Sequence, residues 1–107
     1  YPFERLFITI NCLLSKRAIG IAGFTLHSDG SGKAIEFGVM LIPDYQGQGI
    51  AASITLNAVN WIFSSLNIQR VIVEIDGLNI AARKTAEKVG FQPSENDPRF
   101  YILTANY

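Results

Sequence analysis

The chain has 107 residues, 49% of them hydrophobic, with nine basic and nine acidic side chains that cancel to a net charge of zero. This describes a single domain over residues 1–107, able to bury a core, too apolar to be disordered, and without the global field that draws in nucleic acid or an anionic membrane surface. Its apolar runs are strand-sized, short of the roughly 20 residues of a membrane-crossing helix, so no membrane partner is expected.

Cys12 is the one cysteine and has no internal disulfide partner. Nothing at the start reads as a signal peptide, so a reducing, cytoplasmic setting is expected. Cys12 itself reads as a small buried hydrophobe, and we assign no metal site. The chain opens on Tyr1 rather than methionine, and an upstream part is expected.

Leu6 to Leu14 is rich in β-formers and reads as a first strand ending at Ser15-Lys16-Arg17. Ala18 to Leu26 is a second, whose Gly20 and Gly23 leave room for a close neighbour. Residues 27 to 33, from His27 through Gly32 to Lys33, form a dense turn signal. A third strand over Ile35 to Ile42 completes a meander, with Ile35, Phe37, Val39 and Leu41 on the core face and Glu36, Gly38, Met40 and Ile42 on the other.

Periodicity predicts a helix from about Gly49 to Asn67, with Ile50, Ile54, Ala58, Trp61, Ile62 and Leu66 as its apolar stripe. Arg70 to Ile75 reads as a strand parallel to the third, which makes a β-α-β unit. Asn79 caps a second helix over Ile80 to Val89, Gly90 ends it, and an interrupted extended segment leads to a last strand over Phe100 to Thr104.

The junction between the third strand and the first helix carries the chemical signal. In Pro43-Asp44-Tyr45-Gln46-Gly47-Gln48-Gly49, two glycines free the backbone so that successive N–H groups face one anion, and the helix behind adds its positive end. The spacing is not G-x-G-x-x-G, since Ala52 follows Gly47 and Gly49, and no acidic residue stands about twenty positions on. It is not a Walker loop either, because Ile50-Ala51-Ala52-Ser53 lacks the lysine.

The run Glu36-Phe37-Gly38-Val39-Met40-Leu41-Ile42-Pro43 through Gln46-x-x-Gly49-x-Ala51 resembles the central motif of the GNAT N-acetyltransferases, in particular their RimJ/RimL branch. The stretch from Asn79-Ile80-Ala81-Ala82 to Ala86-Glu87-Lys88-Val89-Gly90-Phe91 resembles that branch's asparagine-rooted helix. The resemblance implies an α/β (α+β) fold with a mixed sheet: an antiparallel meander, a β-α-β unit, a second helix and a C-terminal strand. The N-terminal strand and helices usual in the superfamily would be missing, and the open sheet edge is expected to pair with a second copy.

The same resemblance implies that acetyl-coenzyme A enters between splayed third and fourth strands. Its arm would meet backbone groups of Val39, Met40 and Leu41, its diphosphate would rest on Gln46, Gly47, Gln48, Gly49, Ile50, Ala51 and Ala52, and Asn79 would contact the arm. Direct attack by a primary amine, either a protein N-terminus or a small amine, would complete the reaction in a ternary complex. The chain departs from the family in having Ala86 where some members carry an acidic tyrosine and Ala82 where some carry a serine. From residue chemistry, Glu36 is a candidate base for the incoming ammonium, and Tyr101 a candidate acid for the departing thiolate. The alternative is a non-catalytic acyl-coenzyme A-binding or interaction module of the same fold.

Overall fold

A six-stranded sheet in the order β1-β2-β3-β4-β6-β5 carries two helices. The computed structural model describes residues 3–30 and 32–105. The elements run β1 (Arg5–Asn11), β2 (Ala18–Asp29), β3 (Gly32–Leu41), a 3₁₀ turn (Pro43–Tyr45), α1 (Ile50–Ser65), β4 (Arg70–Glu74), α2 (Ile80–Val89), β5 (Gln92–Pro93) and β6 (Phe100–Thr104). The expected α+β architecture is therefore present, with β1, β2 and β3 as an antiparallel meander and α1 as the crossover to a parallel β4.

Two boundaries differ from expectation. The first strand stops at Asn11, and Leu13 and Leu14 are 92% and 97% exposed in the turn that follows. Cys12 and Arg17 close that turn by a backbone bond of 2.9 Å, and Lys16 sits at φ 57 within it, so local turn geometry overrides the β-propensity of the two leucines. The turn expected over residues 27–33 is shorter than its composition implies. His27 pairs with Ala34, and Asp29 with Gly32, so cross-strand pairing extends into the polar stretch.

Alternation selects the sheet face that α1 covers. Ile35, Phe37 and Leu41 are buried as expected, and Ile35 and Phe37 share one core cluster with Phe24, Val71, Ile75 and Tyr101. Ile35, Ile62 and Val71 are fully enclosed, each contributing about 1.5–3 kcal/mol of burial.

The buried stripe of α1 is Ala52, Thr55, Ala58, Val59 and Ile62, rotated from the one expected. Small residues at 52, 55 and 58 let the helix axis approach the sheet. Trp61 is displaced from the core and remains 38% exposed. Its ring stacks on Phe3 at 6.4 Å and meets Phe24 edge-on at 5.5 Å, roofing the core rather than filling it.

Candidate active site

β3 and β4 are joined by only two register pairs, Ile35↔Val71 and Glu36↔Ile72. Beyond them the strands part. β3 keeps β2 on its other side through Leu41, and β4 keeps β6 on its other side, pairing Val73 with Tyr101 and Glu74 with Phe100. The edge of β3 from Phe37 to Val39 is thus left facing a cleft of about 210 Å³. That is below the ~300–1,000 Å³ of a pocket for a drug-sized ligand, so the space suits a slender chain better than a ring system.

One wall of the cleft is Phe37, Gly38 and Val39, another Val73 to Asp76, a third Asn79, Ala82, Thr85, Ala86 and Phe91 on or beside α2, and Ala51 and Thr55 of α1 complete the lining. Met40 and Leu41 lie further along the open edge, the first 71% exposed and the second buried.

At the end of that edge stands the glycine loop. Gly47 at φ 76 and Gly49 at φ 80 occupy left-handed conformations, and a Cβ at either position would meet nothing within 4 Å. Both glycines therefore answer to backbone conformation and to open space in front of it. Among the described residues, the backbone N–H groups of Gly47, Gln48 and Gly49 donate to no protein acceptor, and the first bond into α1 is Ser53 N–H to the Gly49 carbonyl at 3.2 Å. Ile50, Ala51 and Ala52 are the first-turn residues whose N–H groups an α-helix leaves unpaired. A run of free amides at a helix N-terminus, with no side-chain cap over it, is a geometry suited to an anion.

Side chains brace the loop. Gln46 Nε2 donates to the Leu41 carbonyl at 2.8 Å, and Gln48 Nε2 to the Asp44 carbonyl at 3.0 Å. Asn79 is the N-cap of α2, its Oδ1 accepting from Ala82 N–H at 3.0 Å, which leaves its amide NH₂ for the cleft it lines. Gly90 closes the same helix at φ 113.

The two acid/base candidates are placed differently. Glu36 occupies the last paired position before the strands part, and its carboxylate lies 2.9 Å from His27 Nε2, on the sheet face away from α1. Tyr101 is 8% exposed within the core cluster, behind Val73 rather than on the cleft lining. The lining residues that sequence reasoning did not single out are Thr55, Val73, Glu74, Asp76 and Thr85. Of these, Thr85 had a signal, lying three positions after Ala82 on the helical face that Asn79 begins.

Beside the loop, Cys12 is half-buried. The Ser15 hydroxyl, backbone groups of Ser15 and Leu14, and the Tyr45 side chain stabilise its thiolate and lower its pKa to about 7.

These features converge with comparison to known proteins. Residues 4–92 match the family described as the acetyltransferase (GNAT) domain, and the chain belongs to that family of acyltransferases. Comparison with curated proteins finds no significant match. Among solved structures, a chimera of the Vibrio cholerae spermidine N-acetyltransferase SpeG with hSSAT superposes at TM-score 0.78 and 18% identity, covering 94% of this chain and 67% of its own. An acetyltransferase from Agrobacterium tumefaciens str. C58 gives TM-score 0.75 at 21% identity, covering 98% and 63%. The V. cholerae spermidine N-acetyltransferase in complex with CoA and spermine gives 0.75 at 18%, covering 94% and 63%. The chain thus spans about two thirds of these neighbours' length.

Proposed function

We propose that this domain binds acetyl-coenzyme A across the parted strands and transfers its acetyl group directly to a primary amine. The observation that carries the reading is the separation of β3 from β4 after Glu36↔Ile72, opening onto a loop of unbonded amides. A diphosphate on Gly47 to Ala52 takes up those amides, and a slender arm passing Val39, Met40 and Leu41 occupies the edge that β4 leaves, with the Val39 backbone as its hydrogen-bonding partner. Asn79 contributes its free amide from the opposite wall.

The family membership and the neighbour that holds CoA with an amine support the same chemistry. Glu36 takes the ammonium proton through water, and holding the amine in line with the thioester supplies much of the rate. The RimJ/RimL-like motif favours a protein N-terminal amine as acceptor, with small amines second, and the free thiol of Cys12 fits a reducing compartment.

Thioester consumption against a panel of N-terminal peptides, polyamines and simple amines tests the reading. Turnover with at least one amine, lowered about 100-fold in Glu36→Gln, is the expected result for a lost general base. Tight coenzyme A binding with no turnover on any amine would replace it with the binding-module reading.

A further inference from the structure

Thr55 and Thr85 are the two threonines on the cleft lining. A threonine inside a helix ordinarily turns its hydroxyl back to the carbonyl four residues earlier. Thr55 does so, donating to Ala51 at 2.7 Å. Thr85 does not: among the described residues its hydroxyl has no hydrogen-bond partner, although it is half-buried on the cleft wall.

Its depth in the cleft follows from topology. β5 and β4 are both antiparallel to β6, so α2 is a crossover between parallel strands and runs back against β4. It starts beside the mouth, just after Asp76, and Thr85 lies about 9 Å deeper than Asn79 along the helix axis. An arm whose diphosphate rests on the glycine loop points its sulfur inward, toward this level. On either side of Thr85 the wall is Ala82 and Ala86, which offer no polar group, and Tyr101 lies within the core.

We propose that the Thr85 hydroxyl is the proton donor to the departing coenzyme A thiolate. The inference rests on the acetyl-transfer reading above. As the amine nitrogen bonds to the carbonyl carbon, the carbon–sulfur bond breaks and its electron pair goes to sulfur. Thr85 passes its hydroxyl proton to that sulfur and takes the proton shed by the nitrogen, so the hydroxyl is regenerated and the products are an amide and a neutral thiol.

Two measurements test this. In the folded chain loaded with coenzyme A, titrating the thiol by thiolate ultraviolet absorbance should show ionisation at lower pH than in free coenzyme A. Thr85→Val should return it toward the free value, and Thr85→Ser should keep it low. In turnover, Thr85→Val should lower kcat about 10- to 100-fold with KM for acetyl-coenzyme A within about twofold, Thr85→Ser should restore most of it, and Tyr101→Phe should cost less than Thr85→Val. An unchanged thiol titration in Thr85→Val, or a loss in Tyr101→Phe matching that of Thr85→Val, would overturn the assignment. If the wild type turns over no amine, the transfer reading fails, while the thiol titration still decides the role of Thr85. Absence of coenzyme A binding would overturn both.

Discussion

Gln46 reaches back 2.8 Å to the carbonyl of Leu41, so the first residue of the glycine loop is tied to the last residue of β3. The bond takes up a strand-end carbonyl where the ladder stops, and it sets the angle at which the next three amides leave the sheet. Gln46 thereby couples the two halves of the site, the open strand edge and the glycine loop.

Removing that tie should loosen the cradle without unfolding the domain. Gln46→Ala is expected to weaken coenzyme A binding about fivefold, the equivalent of about 1 kcal/mol for a lost hydrogen bond. Gln46→Glu should cost more, since a carboxylate cannot donate to Leu41 and repels the diphosphate. Calorimetric titration of both variants, beside their melting curves, separates binding from stability.

Gly49 tests the loop more severely. A valine at φ 80 meets conformational strain of about 1–2 kcal/mol and places branched carbon where the anion would rest. Gly49→Val should lose coenzyme A binding by more than tenfold. Gly90→Val carries comparable backbone strain at φ 113 at the far end of α2, and should lose stability while the remaining folded protein binds normally. Equal binding losses in the two variants would show that general destabilisation, not the loop, is being measured.

Asn79 has a structural and a ligand-facing group on one side chain. Asn79→Ala should remove the cap to Ala82 and cost about 1 kcal/mol, lowering Tm by roughly 4–8 °C. Asn79→Asp keeps the capping oxygen and loses the amide donor, so it should melt near wild type yet bind coenzyme A more weakly. Asn79→Asp binding at wild-type strength would confine the residue to capping.

Cys12 provides a pH-dependent reporter beside the loop. Alkylation should rise through a midpoint near pH 7, and Ser15→Ala should move that midpoint up, because the Ser15 hydroxyl is the principal stabiliser of the thiolate. The folded pKa lies below the ordinary value of 9.0, so any stabilisation from the thiolate is present in full above pH 9 and lost as pH falls through 7. Tyr45→Phe should raise the midpoint by a smaller amount.

The outer edge of the sheet yields a prediction about association. β1 is an edge strand, and its Phe7 and Ile8 are 61% and 48% exposed. Such an edge invites pairing with another strand. The 107-residue chain should form a concentration-dependent dimer in sedimentation, and Ile8→Lys should suppress it. Sedimentation as a monomer at every concentration would refute edge pairing.

Most of the architecture was legible in residue order. Alternation at Ile35, Phe37 and Leu41 marked the covered sheet face, Asn79 and Gly90 marked both ends of α2, and Gly47 and Gly49 marked the left-handed turn into α1, since each depends on local backbone geometry. Tertiary structure decided what local pattern leaves open. The rotation of α1 was chosen by how closely Ala52, Thr55 and Ala58 could approach the sheet, which moved Trp61 outward. The exposure of Leu13 and Leu14 came from closure of a turn. The parting of β3 from β4 after two register pairs, and the arrival of Thr85 on the resulting wall, arise from each strand following its other neighbour, β3 with β2 to Leu41 and β4 with β6 to Glu74. Pairing between segments distant in sequence sets those two paths, and the periodicity within a segment does not encode them.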